Sequence, residues 1–143
     1  PSDCVFCSIA TGSTPAHMVL DEPGVLAFLD VHPVFVGHVL VVPRAHTDHL
    51  GTLPPAELPP LFGAVQRVAA AVQAGMAADG TFVAVNNVVS QSVPHLHVHV
   101  VPRRRKDGLR GFFWPRQKYS GPQEMESTAE AIRGALEDGE TWT

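Results

Sequence analysis

The chain has little charge, little cysteine and no long apolar run. Of its 143 residues only 10 are Lys or Arg, against 14 Asp or Glu, and the formal net charge is -4. Wrapping nucleic acid without sequence preference needs a cationic surface to neutralise phosphates, so no nucleic-acid partner is expected. The most apolar stretches are short, as in Val39-Leu40-Val41-Val42, or broken by Gln66, Arg67 and Gln73 between Val65 and Met76. None approaches the ~20 apolar residues that cross a bilayer, and no membrane span is expected. Pro1-Ser2-Asp3-Cys4 offers neither the basic nor the apolar region of an export signal, which leads to the expectation of a cytoplasmic protein. Two cysteines are too few for a disulfide framework. In a reducing compartment Cys4 and Cys7 are expected to be thiols or metal ligands. Internal repeats and low-complexity tracts are also missing.

What is present suits one compact domain over residues 1–143: 45% of the residues are hydrophobic and 17% charged, enough for a sizeable core. Val5 to Thr11 reads as a short helix stopped by Gly12. Thr14-Pro15 opens a loop that runs to the turn composition Asp21-Glu22-Pro23-Gly24. Val25 to Asp30 and His38 to Pro43 read as an antiparallel pair of strands around a His32-Pro33 bend. Leu58, Leu61, Val65, Val68, Val72 and Met76 recur at steps of three or four, the mark of one long amphipathic helix. Pro59 and Pro60 fit only its first turn, and Asp79-Gly80 is expected to stop it. Thr81 to Asn86 reads as a further strand, and Gln123 to Asp138 as a last helix with Met125, Ala129, Ile132 and Leu136 on one side. Strands joined by turns with one long helix between them predict an α+β fold with a mostly antiparallel sheet.

The chemistry is concentrated in Pro94-His95-Leu96-His97-Val98-His99-Val100-Val101-Pro102. Side chains on a strand leave by alternate faces, so the three imidazoles share one face and Leu96, Val98 and Val100 the other. Neighbours on one face stand roughly 7 Å apart, so all three cannot reach one metal ion undistorted, although two could. The alternative is a division of labour, in which one neutral imidazole attacks, one donates a hydrogen bond and one is held elsewhere. Cys4-x-x-Cys7 is open to three readings: a redox pair, half of a metal site, or two inert core thiols.

His95-Leu96-His97-Val98-His99-Val100-Val101 resembles the His-φ-His-φ-His-φ-φ signature of the histidine triad family of nucleotide hydrolases and transferases. Asp3-Cys4-Val5-Phe6-Cys7, Phe28-Leu29-Asp30, Gly37-His38-Val39-Leu40-Val41-Val42-Pro43-Arg44-Ala45-His46 and Gln91-Ser92-Val93 support it, in the family's order. The resemblance covers most of residues 3–103 and leaves 104–143 a less recognisable extension. It implies a HIT-like fold with a mostly antiparallel sheet of about five strands, one long helix, a short N-terminal helix and a C-terminal helix. It further implies a homodimer joined through the long helix and its neighbouring strand, and hydrolysis at the α-phosphate of a purine nucleotide to an AMP-type product. By the same resemblance His97 forms a covalent nucleotidyl-histidine, with His99 and Ser92 as hydrogen-bond partners of the phosphate or leaving atom. Asp30 would meet the ribose, Phe6, Ile9, Phe28 and Val31 the base, and Asn86 (with Asn87 second) and Gln91 the phosphate or ribose. Bacterial members with this Cys-x-x-Cys complete a structural zinc site with two histidines, which are His46 and His95 here. His49 is a substitute for His46, and His17, His32 and His38 are read as surface or turn residues.

Two stretches depart from the pattern. Asn86-Asn87-Val88-Val89-Ser90-Gln91-Ser92 is shorter than its counterparts and contains no glycine, the residue that lets backbone amides approach a phosphate. Arg103-Arg104-Arg105-Lys106, followed by Arg110, Phe112, Phe113, Trp114, Arg116 and Tyr119, is either a solvated run or a surface that holds polyphosphate. Trp142 lies one residue from the last. Three functions remain open on the residues alone: a nucleotidyl hydrolase or transferase acting through His97, a metal-dependent hydrolase using two of the triad imidazoles, and a nucleotide-binding scaffold without turnover.

Overall fold

The computed structural model describes residues 3–110 and 116–138, which fall into two compact units, one up to Asp107 and one from Gly108. Phe112, Phe113, Trp114 and Trp142 lie outside the described residues. In the first unit the order is α1 (Val5–Ala10), β1 (Met18–Asp21), β2 (Val25–Leu29), β3 (Val39–Pro43), α2 (Leu58–Gly75), β4 (Gly80–Ala84) and β5 (Val98–Arg103). The five strands form one sheet in the order β1-β2-β3-β5-β4, and each neighbouring pair is antiparallel. The expected α+β architecture with five strands and one long helix is what the chain forms.

Both faces of the central strands are covered, which is why β2 and β3 read as continuous apolar runs instead of alternating ones. Val25 and Ala27 of β2, Val39 and Val41 of β3, and Leu96, Val98 and Val100 pack with Leu61, Ala64, Val65, Val68 and Val72 of α2 in one core. The intervening residues Leu26, Phe28, Leu40 and Val42 form a second core with Cys4 and Phe6. This alternation sets the site. Because Leu96, Val98 and Val100 point at α2, the period of two sends His95, His97 and His99 to the face covered by α1. Burial, which a surface strand would not impose, then becomes part of the chemistry.

Several boundaries differ from the pattern reading. Residues 18–21, read as part of a loop, form the edge strand β1. Only Leu20 of the four is even partly buried, so the segment carries no alternation to detect, and a register shift lies between Met18 and Leu20. α2 ends at Gly75, ahead of Asp79-Gly80, because Ala77 turns to φ +51° and breaks the helical repeat. Gly80 instead opens β4, which stops at Ala84 and leaves Asn86 in the following loop. The histidine strand begins its ladder only at Val98. Its partner β3 ends at Pro43, which has no N–H to extend the pairing, and Pro94 has none either. Gly37 needs its missing side chain: its φ is +101° and a Cβ would lie 2.7 Å from Met76 Cγ. That contact brings the β2–β3 turn against the end of α2 immediately before His38.

In the second unit, α3 (Pro122–Glu137) starts with proline in its first turn, and the Glu124 carboxylate accepts the Ser120 N–H at 2.8 Å. The stripe of Met125, Ile132 and Leu136 is exposed.

The packing predicts where stability resides. Leu61, 1% exposed between α2 and the sheet, should cost about 2–5 kcal/mol when replaced by Ala, read as a lower urea midpoint with an unchanged slope.

Candidate active site and metal cluster

A cleft of about 460 Å³ opens on the α1 side of the sheet. One part of its wall is apolar, from Phe6, Ile9, Phe28 and Val31, and another is polar, from Asp30, Ser92, His97 and His99. These eight residues, named from the pattern for three different parts of a nucleotide, thus meet in one cavity. Val31 is 78% exposed, so it forms a rim and not a buried floor. Phe6 stands edge-on to His97, with centroids 5.2 Å apart, and to Phe28 at 5.4 Å. Its ring keeps water from one side of the imidazole.

Hydrogen bonds decide which nitrogen of each ring carries the proton. His97 is 3% exposed, and its Nδ1 lies 2.7 Å from the His95 carbonyl. A carbonyl only accepts, so Nδ1 holds the hydrogen and Nε2 of the neutral ring keeps its lone pair. A second chain starts in the β2–β3 turn. The Val34 N–H donates to His38 Nδ1 at 3.1 Å, which puts the His38 hydrogen on Nε2. His38 Nε2 lies 3.0 Å from His99 Nδ1, so His99 accepts there and carries its own hydrogen on Nε2 as a donor. Asp30 Oδ2 sits 3.6 Å from His38 Nε2, while Asp30 Oδ1 accepts the His32 N–H at 2.9 Å.

Burial disfavours the charged form of the His38 and His99 rings. It pushes His99 down to about 4, helped by the neighbouring His97 and His38 and opposed by Asp30. It also lowers His38, with Asp30 again opposing. His38 corrects the pattern reading. Assigned to the surface, it is 3% exposed and joins the triad, because β3 pairs with β5 so that Leu40 lies opposite His99, two residues along from His38 on the same face. The pairing of Gly37 with a following histidine at the head of an apolar strand was the available signal.

Cys4, Cys7, His46 and His95 form a separate cluster whose four donor atoms lie within 4.8 Å of one another. Cys4 Sγ is 3.4 Å from His95 Nδ1, Cys7 Sγ is 3.4 Å from His46 Nδ1 and 3.6 Å from His95 Nδ1. Zinc–sulfur and zinc–nitrogen bonds of about 2.3 and 2.05 Å at a tetrahedral angle imply S···N separations of about 3.6 Å, so the cluster fits such an ion. The outer nitrogens are also prepared. His95 Nε2 lies 2.8 Å from the Pro43 carbonyl and His46 Nε2 2.9 Å from Asp48 Oδ1, which frees both Nδ1 lone pairs for a ligand role. Partial burial and the adjacent Cys4 sulfur push the Cys7 thiol up. Asp30, His38 and His99 also converge, but the proton placed on His38 Nε2 by the Val34 N–H points to a hydrogen-bonded chain and not a ligand set.

Other candidates lie elsewhere. Asn86 is exposed at the start of the loop. Asn87 and Gln91 do not line the cleft; their amides bond residues 48, 50 and 88. His49 stands at the head of a short 3-10 turn, His32 lines the cleft mouth and His17 is exposed. In the basic run, Arg103 pairs with Asp107 at 2.6 Å and Arg104 reaches the Met76 carbonyl, so these two guanidinium groups serve the turn.

The chain is similar to known proteins over most of its length. The profile of the HIT domain matches residues 11–106. A HIT-like protein of Mycobacterium tuberculosis is 38% identical over 138 residues, 93% of this chain and 92% of the relative. An adenylylsulfatase of Arabidopsis thaliana is 31% identical over 76% of this chain and 56% of its own length. The adenosine 5'-monophosphoramidase of Schizosaccharomyces pombe is 29% identical over 93% and 98%. Among solved structures, a HIT-family member from Bacillus subtilis superposes with TM-score 0.85 at 30% identity, covering 92% of this chain and 96% of that one. A zinc-bound histidine triad family protein from Mycobacterium smegmatis gives 0.72 at 35% identity, covering 93% and 98%.

The lowered histidines carry a pH signature. Between about pH 4 and 6.5 the unfolded chain binds more protons than the folded one, so stability rises with pH across that window. Urea unfolding should show the loss in acid, and His99→Asn should lose less than the wild type between the same two pH values.

Proposed function

Because the chain belongs to the HIT domain family, we propose that it is a cytoplasmic nucleotide hydrolase or nucleotidyl transferase that cleaves at the α-phosphate through a covalent nucleotidyl-His97. The observation that carries this reading is the bond from His97 Nδ1 to the His95 carbonyl, since it leaves the other nitrogen bare beside the cleft. The Nε2 lone pair forms a bond to phosphorus, and the bond to the leaving nitrogen or oxygen breaks with its electron pair. The departing group takes a proton from solvent or from the Ser92 hydroxyl. Water then attacks phosphorus, the bond from phosphorus to Nε2 breaks with its electron pair returning to the ring, and a proton of that water passes to solvent or restores the Ser92 hydroxyl as the nucleoside monophosphate leaves.

The intermediate places positive charge on the His97 ring, and the His95 carbonyl is already aligned to hold it through Nδ1–H. His99 Nε2–H faces the charge that develops on the phosphoryl oxygens. Asp30 has one oxygen engaged with the His32 N–H and offers the other to the ribose hydroxyls. Phe6, Ile9, Phe28 and Val31 hold a purine against the apolar wall, whereas Asn86 lies outside the cleft lining and takes no contact in this reading. The relatives named as an adenylylsulfatase and a phosphoramidase differ in leaving group and share an adenylyl group. A shared adenylyl group with a variable leaving group supports a nucleoside phosphoramidate as substrate here, and a dinucleoside polyphosphate is the other class proposed.

We assign zinc to Cys4, Cys7, His46 and His95 as a structural ion. It would tether the segment that carries Phe6 to the histidine strand, and the nucleophile needs nothing from it. We further propose a homodimer joined through α2 and β4, a reading supported by the exposure of Phe62 and Val83 there.

Two outcomes are expected. His97→Asn should lower turnover of an adenosine phosphoramidate by three orders of magnitude or about that, while nucleotide binding measured by calorimetry persists. Mass spectrometry of the wild type should find a nucleotidyl adduct that the variant lacks; binding with no adduct and no turnover in the wild type would point to a scaffold. Metal analysis should find one zinc per chain, and a chelator should lower the melting temperature before it lowers initial turnover.

A further inference from the structure

The loop between β4 and β5 carries Ser92 to the cleft, and its backbone is unusual. Residues 86–92 contain no glycine, yet Val88 and Ser90 adopt φ of +70° and +61°. Left-handed backbone is unfavourable for any residue with a Cβ and most of all for a β-branched one. Such a conformation persists only where its surroundings over-determine it. Solvent surrounds much of this loop, since Val88 and Val89 are 67% and 78% exposed, so packing does not hold it.

Two side-chain amides do. Gln91 Oε1 accepts the Val88 N–H at 3.2 Å, and Gln91 Nε2 donates to the Asp48 carbonyl at 2.5 Å. Asn87 Oδ1 accepts the Leu50 N–H at 2.8 Å. One amide therefore ties the loop to itself and to residue 48, and the other ties it to residue 50. The same stretch is anchored independently: the Leu96 N–H donates to the Thr47 carbonyl at 2.7 Å, and the Asp48 carboxylate holds His46.

We propose that Asn87 and Gln91 are positioning residues, whose amides clamp a strained, glycine-free loop onto residues 48–50 and so hold the Ser92 hydroxyl at the His97 and His99 end of the cleft. The proposal rests on the reading that Ser92 assists bond cleavage in a nucleotidyl transfer. Neither amide contacts the nucleotide. The nucleoside wall comes from α1, β2 and the residues just after it, which the clamp does not touch. Its loss therefore affects the reacting end and spares ground-state binding.

The test uses the full chain with Gln91→Ala, Asn87→Ala and Asn87→Asp, the last of which keeps the acceptor for Leu50. Each alanine variant should lower kcat about tenfold or more with KM within about twofold of wild type, and more for a poor leaving amine than for an activated ester. Asn87→Asp should stay close to wild type. Amide hydrogen exchange, which needs no turnover, should quicken at Val88 in Gln91→Ala and at Leu50 in Asn87→Ala. A rise in KM at constant kcat would make these residues nucleotide contacts and overturn the proposal, as would unmoved exchange at both amides. Wild-type protein that binds but does not hydrolyse nucleotides would sink the functional reading instead, and the exchange result would still decide whether the clamp exists.

Discussion

The hydrogen bond between His97 Nδ1 and the His95 carbonyl, 2.7 Å long, is the contact on which the proposed chemistry depends. Without a fixed acceptor on one side, a buried imidazole has no preferred tautomer, and its lone pair is as often turned away from a substrate as toward it. The acceptor is a main-chain atom of the residue two positions earlier, so it is built by the extended backbone of the histidine segment itself. His95 therefore serves twice. Its carbonyl orients the His97 ring, while its own ring spans the Pro43 carbonyl and the two cysteines. A shift of His95 is felt both by the cysteine and histidine cluster and by the His97 ring.

The second chain of bonds, Val34 to His38 to His99, solves the same problem for a donor. An N–H that does not belong to a titrating group sets the direction of two successive imidazoles. Burial makes this ordering durable. With His99 held down at about 4, the relay stays neutral over the physiological range, and two adjacent imidazolium charges beside His97 are avoided. The cost of placing four histidines in or against a core is met by giving the His38, His95 and His97 rings a main-chain partner and His99 the His38 ring.

Much of this was legible in the residues. The period of two in His95, His97 and His99 fixed which face they share, and the three-and-four spacing from Leu61 to Val72 marked the helix that covers the opposite face. The two cysteines and His46 were legible only through resemblance, since a pair of thiols alone has three readings. Strand β1 was not legible, because an edge strand with exposed residues on both faces has no alternation. His38 was missed for the opposite reason: a polar residue next to a glycine bend looks like a turn, and nothing local reveals that β3 will lie beside β5. Gln91 and Asn87 sit in a motif-like stretch that suggests ligand contact, but their amides turn to backbone groups some forty residues away in the chain.

What the amino-acid order determined alone is the inventory and the local periodicity: three imidazoles on one side of an extended segment, an amphipathic helix, and thiols within one helical turn. These follow from backbone geometry that each residue carries with it. Which nitrogen is free, which histidine is buried and which donors converge within 4.8 Å were decided only by tertiary structure. Hydrogen-bond partners and desolvation come from segments distant in sequence, and neither exists until the sheet has brought β3 against β5 and α1 has closed over the histidine face.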